Sequence, residues 1–196
     1  MKKCVIVLFV LALVFASSYA SAEGLYAKGI IGATFPTDQT LTPSGVELDF
    51  DTGYLLGVAV GSDLGNNVRV EGEIAYNKSD VNKASGAASP GDVKVWSFLV
   101  NCYYDIQTGS PVTPFIGAGI GAANVKLYDG SVDPDDTVFA YQASAGIGYA
   151  VSDSATIELG YRYMATSDPE YKVSGGTTDG EYGSHNLYGG VRIAIQ

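Results

Sequence analysis

The sequence contains few of the residues that most often catalyse reactions, bind metals or form disulfides. Its 196 residues include two cysteines, one histidine and one tryptophan, and only 16% of them are charged. Cys4 lies ahead of the apolar run 5–15, in a segment that we interpret below as a cleaved signal peptide, so Cys102 is the single thiol expected in the exported chain. One thiol excludes a disulfide framework and a thiolate metal cluster. No apolar run reaches the roughly 18 residues that a transmembrane helix requires.

Basic residues are also scarce, since 11 Lys and Arg stand against 21 Asp and Glu and give a net charge of −10. This charge opposes phosphate backbones and disfavours a nucleic-acid partner, so we expect none. The hydrophobic share of 46% excludes a disordered polyelectrolyte. The abundant residues are instead glycine, with 25 copies, and tyrosine, with 14. This composition is typical of a β protein and not of a helical bundle.

The first 22 residues have the features of a secretory signal peptide. Two lysines precede the apolar run 5–15, and Ala20-Ser21-Ala22 supplies the small residues of a cleavage site. The run is too short to anchor the chain as a transmembrane helix. We therefore expect a signal peptide at residues 1–22 and an exported domain at residues 23–196.

Apolar and polar residues alternate with a period of two through the exported domain. In segment 156–163, Ile157, Leu159 and Tyr161 alternate with Glu158, Gly160 and other polar or small residues. This period is that of a β-strand with one apolar face. The predicted strands are 25–35, 53–61, 68–76, 96–105, 115–127, 138–151, 156–163 and 186–195.

The connections between these strands alternate in length. Tight turns such as Gly65-Asn66-Asn67 and Asp153-Ser154 alternate with long segments rich in Pro, Gly, Ser and Asp. An even strand count, with long loops at one rim and short turns and both termini at the other, predicts an all-β fold, an eight-stranded antiparallel up-and-down transmembrane β-barrel. The predicted long loops are 36–51, 79–92, 128–136 and 168–181.

A soluble ligand-carrying barrel has the same topology, and the polarity of its two faces distinguishes it. A soluble carrier turns its charged face to water, whereas a membrane barrel turns its apolar face to lipid. The charged face here carries only four cations and four anions, too few for a solvated exterior. We predict that they pair with one another inside a closed lumen and fix the register of the barrel. The predicted network consists of Lys28, Arg69, Glu71, Glu73, Asp105, Glu158, Arg162 and Arg192.

Aromatic residues on the opposite face are candidates for the girdles that mark the two membrane interfaces, although lipid-facing filler is an alternative. These candidates are Tyr54, Tyr76, Trp96, Tyr104, Tyr141, Tyr149, Tyr161 and Tyr163. Glycines on the inward face are expected to make room for long interior side chains. These glycines are Gly117, Gly119, Gly146, Gly148, Gly160 and Gly190.

The residues offer weak support for catalysis or metal binding. His185 follows Ser184, but successive side chains of a strand point to opposite faces and cannot form a dyad. Glu71 and Glu73 share a face and are better explained by the ion-pair network. The acidic segment 129–136 lacks the spacing of an EF-hand loop. We expect no enzymatic activity, no cofactor and no specific metal site.

Four motifs occur in a familiar order. They are Asn101-Cys102-Tyr103-Tyr104-Asp105, the Gly-rich segment 114–121, the segment 141–149 and Leu159-Gly160-Tyr161-Arg162-Tyr163. Together they resemble the opacity-type, OmpA-like outer-membrane β-barrel surface antigens, often called porin-family proteins. The resemblance spans the exported domain and is strongest over residues 95–165. The chain departs from it at Gln196, where such barrels usually end in an aromatic residue.

The resemblance implies an eight-stranded barrel in the outer membrane of a Gram-negative bacterium, with variable surface loops. Family members act as adhesins, structural components or antigens. We therefore expect a monomeric surface protein of structural or adhesin type, with a closed lumen and four acidic loops. We expect it to contact outer-membrane lipid and lipopolysaccharide, and to bind a host or extracellular ligand through those loops. The alternatives are a small or gated diffusion pore and, less favoured, a lipid-active enzyme.

Overall fold

The computed structural model describes residues 24–37, 39–41, 46–84, 87–128, 135–167, 170–173, 176–179 and 182–195. The predicted signal peptide lies outside these ranges. Strands and turns dominate them, and no helix in them is long and apolar enough to cross a membrane.

Twelve strands form the described structure. They are β1 (Leu25–Pro36), β2 (Gln39–Leu41), β3 (Val46–Phe50), β4 (Gly53–Asp63), β5 (Val68–Ala84), β6 (Ala87–Asp105), β7 (Val112–Tyr128), β8 (Asp135–Ser152), β9 (Ala155–Thr166), β10 (Glu170–Val173), β11 (Gly176–Asp179) and β12 (Gly183–Ala194).

Eight long strands close into a single antiparallel barrel. Around its wall the order is β1, β4, β5, β6, β7, β8, β9 and β12, and β12 pairs with β1 to complete the ring. All eight predicted strands are present in the predicted up-and-down order. Closure matters because it leaves no barrel strand with an unpaired edge. We call the rim with the turns 64–67, 106–111 and 153–154 the turn rim, and the opposite rim the loop rim.

The strands are longer than predicted at the loop rim. The prediction of a loop at 79–92 was wrong, because β5 continues to Ala84 and β6 begins at Ala87, with their ladder intact apart from one register shift. Strands β2 and β3 lie within the predicted loop 36–51, and β10 pairs with β11 within 168–181. Apolar alternation ends where a strand leaves the bilayer, but backbone pairing needs no apolar side chains and continues beyond that point.

The polarity of the barrel is inverted relative to a soluble protein. Outward side chains are apolar and exposed, with 66% of Ile31 and 63% of Leu159 accessible. Inward side chains include ions that are almost wholly buried, such as Arg69 and Glu71 at 1% and 0%. This arrangement suits an apolar surrounding medium and a packed interior.

Outward aromatic residues concentrate near the loop rim. Tyr54, Tyr76 and Trp96 lie side by side on β4, β5 and β6, with ring centroids 6.1 and 4.9 Å apart. On the other side of the barrel, Tyr161 and Tyr163 flank His185. The turn rim has fewer aromatic residues: of the predicted set, only Tyr104 and Tyr149 lie near it. The two predicted girdles are therefore unequal in size.

Two apolar clusters fill the interior between and above the charged residues. The cluster near the loop rim contains Val93, Val95, Leu99, Ala123, Val125, Val138, Ala140, Met164 and Tyr182. The cluster deeper in the lumen contains Ile30, Leu55, Ala75, Tyr103, Phe115 and Tyr188. Burying these side chains stabilises the barrel through close packing of its interior.

Three interior tyrosines each lie across a glycine on the neighbouring strand. Tyr26 pairs with Gly61, Tyr103 with Gly117, and Tyr188 with Gly160 in the strand register. A Cβ atom at Gly160 would lie 2.5 Å from Cζ of Tyr188, and one at Gly117 would overlap the Tyr103 ring. Gly160 and Gly117 therefore leave the space that the neighbouring tyrosine rings occupy. By contrast, a Cβ atom at Gly190 has no side-chain atom closer than 3.8 Å.

Replacing Gly160 with alanine should destabilise the barrel. The added methyl group would displace the Tyr188 ring, and overpacking of this kind costs about 1 to 3 kcal/mol. Urea unfolding of the refolded protein in a defined micelle measures the change. The matched control is Gly189→Ala, since a Cβ atom there meets only the Glu158 carbonyl oxygen at 3.9 Å. Equal unfolding midpoints for the two variants would contradict the steric explanation.

Candidate functional site

Arg69 is the centre of a charged cluster in the half of the lumen nearer the turn rim. Its Nε and Nη2 atoms donate to the two carboxylate oxygens of Asp105, at 2.6 and 2.9 Å. Its Nη1 atom donates to Glu71 Oε1 at 3.0 Å and to the hydroxyl of Tyr26 at 3.2 Å. The bidentate contact with Asp105 fixes the guanidinium plane and joins the adjacent strands β5 and β6.

Lys28 and Glu158 extend this cluster across the lumen. Lys28 Nζ lies 2.5 Å from Glu71 and 3.5 Å from Glu158. Glu158 also lies 3.5 Å from Arg69 and 3.6 Å from Arg192, so three cations surround its carboxylate. The cluster thus contains three cations and three anions and is formally neutral. A neutral, closely paired set is what a poorly hydrated interior requires.

A second charged group lies further toward the loop rim. Arg162 Nη1 donates to Glu73 Oε1 at 2.5 Å and is 3.4 Å from Gln142 Oε1. Gln142 Nε2 in turn donates to Asn101 Oδ1 at 2.7 Å. Since β9 and β5 stand on opposite sides of the ring, the Arg162–Glu73 pair spans the lumen.

The structure thus places all eight sequence-predicted ions in the interior, but as two groups. Within the described residues, no ion pair joins the Arg162–Glu73 pair to the Arg69 cluster. Sequence reasoning missed the uncharged members Tyr26, Asn101 and Gln142, which lie at inward positions of the same strands. All three are polar residues at inward-facing strand positions, and this pattern in the sequence could have identified them.

Aromatic rings lie against the interior cations. The Arg69 guanidinium carbon is 4.9 Å from the Tyr103 ring centroid and 5.6 Å from that of Phe115. Arg162 is 5.4 Å from the Tyr188 ring, and Lys28 Nζ is 5.0 Å from Tyr103. Cation–π attraction is strongest where water is absent, so these rings partly replace hydration of the cations. Tyr103 and Tyr188 are also two of the rings that lie over glycines.

His185 and Ser184 do not form a catalytic pair. Ser184 is fully buried in the interior, whereas His185 is exposed on the outer wall. His185 Nδ1 lies 2.7 Å from the hydroxyl of Tyr161, among the outward aromatic residues. The described residues contain no group of three or more His, Cys, Asp or Glu able to hold a metal ion. Asp129 and Asp133, of the acidic segment 129–136, lie outside the described residues.

A closed barrel of eight antiparallel strands, apolar outside and ion-paired inside, defines a transmembrane β-barrel of the outer-membrane type. The chain belongs to the family described as outer membrane protein beta-barrel domain, whose sequence model matches residues 6–192. This membership confirms the family resemblance seen in the sequence and locates the protein in the outer membrane of a Gram-negative bacterium.

Proteins similar in sequence include an outer membrane protein and a candidate adhesin. The outer membrane protein PagN of Salmonella typhimurium is 29% identical over 184 residues, which cover 76% of this chain and 77% of PagN. A candidate adhesin of Rickettsia rickettsii is 25% identical over 224 residues and is covered completely, as is this chain. A Brucella abortus protein is 29% identical over 162 residues, and the chain spans only about half of its length, 54%.

Among solved structures, Neisserial surface protein A has the same fold. The two structures superpose with a TM-score of 0.65 at 23% identity, covering 88% of this chain and 98% of the neisserial protein. The chain is therefore related to outer-membrane barrel proteins, and its relatives include a candidate adhesin.

Replacing Arg162 with alanine should destabilise the barrel by about 3 to 5 kcal/mol, because it leaves the Glu73 carboxylate buried without its counter-ion. Urea unfolding measures the change, and the unfolding midpoint of the variant should be lower than that of the unaltered protein. Adding Glu73→Ala to that variant removes the unpaired charge and should restore part of the loss. Asp80→Asn is the surface control, since Asp80 is 71% exposed and its pair with Lys78 should contribute less than about 1 kcal/mol. An unchanged midpoint for Arg162→Ala would refute a stabilising role for the pair.

Proposed function

We propose that this protein is a structural or adhesin-type surface protein, in which a closed barrel anchors binding segments outside the cell. The observation that carries the proposal is the filled interior. Ion pairs occupy the half near the turn rim, and apolar side chains such as Val95, Val125 and Met164 occupy the half near the loop rim. A lumen filled in this way favours anchoring over transport.

The segments beyond the loop rim are the surface that we propose for ligand binding. Surface segments positioned by a rigid scaffold commonly carry recognition. Strands β5 and β6 continue as a paired hairpin past the aromatic residues, and β3 pairs with the extended part of β5. This extension would hold the segments 36–51 and 79–92 at a defined position above the membrane.

The charge of these segments indicates the chemistry of the ligand. The segments 36–51, 128–136 and 168–181 each contain four acidic residues, and Lys172 is the only basic residue in the three. We infer that a host or extracellular ligand with a basic surface binds here, while outer-membrane lipid and lipopolysaccharide surround the barrel. The likeness to a candidate adhesin of Rickettsia rickettsii over the full length supports this proposal.

A small or gated pore is the second candidate, and one feature favours it. Several buried polar atoms on one wall of the lumen near the loop rim have no hydrogen-bond partner in the protein. They are Thr34 Oγ1, Asn77 Oδ1, Ser79 Oγ and Asn186 Oδ1. Such groups usually bind water, and water along this wall could form part of a narrow path.

Adhesion provides the first test. Bacteria that display the intact protein should bind host cells or extracellular matrix more than bacteria that display a version with segments 129–134 and 168–181 shortened. Changing Asp129 and Asp133 to asparagine should reduce binding while leaving the barrel folded, because both residues fall between strands β7 and β8 in the sequence. Heat-dependent gel mobility verifies folding and surface labelling verifies display. Equal binding by all three strains would refute the adhesin proposal.

Conductance provides the second test. The refolded protein in a planar lipid bilayer should show no steady open events, since ion pairs and apolar side chains fill its interior. Arg162→Ala should not open a stable channel, because Val95, Val125 and Met164 still close the lumen near the loop rim. Steady open events from the unaltered protein would favour the pore and overturn the closed anchor.

A further inference from the structure

The half of the lumen nearer the loop rim has two unlike walls. Strands β6 to β9 contribute the apolar side chains of the loop-rim cluster, among them Val95 and Val125. The opposite arc of the ring, on β12, β1 and β5, is polar and uncharged, and we call it the polar wall. It consists of Thr34, Asn77, Ser79, Ser184 and Asn186, each at most 2% exposed.

The strand register brings the side chains of the polar wall together. Thr34 pairs with Asn186 on one side and with Gly53 on the other. Because Gly53 has no side chain, the Ser79 hydroxyl of β5 lies beside it, where a Cβ atom at Gly53 would overlap that hydroxyl. Ser79 therefore continues the row that Asn186 and Thr34 begin.

The polar wall lacks hydrogen bonds in the closed barrel. Asn186 Nδ2 donates to Ser184 Oγ at 3.2 Å. Four other atoms have no partner among the described residues, namely Thr34 Oγ1, Asn77 Oδ1, Ser79 Oγ and Asn186 Oδ1. Each of these atoms has less than 1 Å² of accessible surface, so the surrounding side chains leave no room for a water molecule beside it. Since buried polar groups are normally paired with protein or water, the closed wall is incompletely satisfied.

Tyr182 lies between the two walls and covers the polar one. Its ring belongs to the apolar loop-rim cluster and is 2% exposed. Its hydroxyl points toward Ser184, Thr34 and Asn77, but these contacts lack the geometry of hydrogen bonds. The ring therefore keeps water from the polar wall without replacing it as a hydrogen-bond partner.

The backbone of Tyr182 is fixed at the loop rim, which leaves the side chain as the part that can turn. Thr166 N donates to the Tyr182 carbonyl at 2.9 Å, and Tyr182 N donates to Thr166 Oγ1 at 3.3 Å. The carbonyl of the next residue, Gly183, accepts from Thr37 N at 2.9 Å. These bonds tie the residue to the ends of β9 and β1. Rotation of the side chain would uncover the polar wall and keep the strand pairing.

We propose that Tyr182 is the closing residue of a blind polar recess, which opens toward the outside of the cell and takes up water and small uncharged solutes. When the ring turns away, water reaches the wall and the Tyr182 hydroxyl and supplies the hydrogen bonds that the closed state lacks. The wall carries no charged side chain that would offset the desolvation of an ion, so it favours neutral solutes. The Arg162–Glu73 pair still spans the lumen below, so the recess is not a pore. The recess is independent of the adhesin proposal.

The rate at which a buried thiol reacts tests the opening. In a Cys102→Ser background, Ser79→Cys places the single thiol of the exported chain on the polar wall. The refolded protein is treated with methyl methanethiosulfonate, a small uncharged thiol reagent, and mass spectrometry follows the reaction. Adding Tyr182→Ala should speed the reaction about tenfold or more, because the reagent then reaches the wall without displacing a ring. An unchanged rate would show that the ring does not close the recess.

Tyr182→Phe separates the proposed opening from simple packing. Phenylalanine keeps the ring but has no hydroxyl to leave unpaired in the closed state, so the reaction should be about fivefold slower or more. A phenylalanine variant that reacts as fast as the unaltered tyrosine, or faster, would overturn the proposal. Val125→Ala is the matched control, since it removes volume from the opposite wall and should leave the rate within about twofold. Heat-dependent gel mobility verifies that each variant is folded.

Conductance distinguishes a blind recess from a path through the barrel. Tyr182→Ala in a planar lipid bilayer should show no steady open events, because the Arg162–Glu73 pair and the Arg69 cluster still fill the lumen toward the turn rim. Steady open events from this variant would overturn the blind end of the recess.

Discussion

Backbone hydrogen bonding in a medium without water is the constraint on which this structure depends. Every N–H and C=O group at membrane depth needs a partner within the protein, and only a closed ring of strands supplies one for each β-strand. The pairing of β12 with β1 meets this need. Closure also separates the side chains into two sets, because alternate residues must face lipid or lumen. The outward set is accordingly apolar, and the polar residues of the strands are collected in a narrow interior.

Three linked devices stabilise the charged residues in this narrow interior. Opposite charges are paired across the lumen, as Arg162 and Glu73 are on opposite walls. Aromatic rings of Tyr103 and Tyr188 lie against the cations where water cannot. Glycines 117 and 160 leave the space in which those rings lie. A change in one device affects the others, so the charged residues, the tyrosines and the glycines act as one structural unit.

The outer surface divides the protein into zones with different tasks. Apolar residues face the hydrocarbon, and aromatic residues mark the interface near the loop rim. Beyond them the chain becomes acidic, and strands β5 and β6 carry it away from the membrane. The family relationship agrees with this division, since its members are barrel proteins of the outer membrane. Ligand recognition is best sought in the outermost zone, where side chains meet water and other cells.

The sequence by itself determined the number of barrel strands, their order and which face of each barrel strand is apolar. These properties follow from the period of two, which is local and can be read from a few neighbouring residues. Only the tertiary structure decided which ions meet and that Tyr188 lies over Gly160. Those contacts depend on the stagger between strands distant in sequence, as for Arg162 and Glu73, 89 residues apart. The length of the strands beyond the bilayer could not be predicted from the sequence either, because strand pairing continues there without apolar alternation.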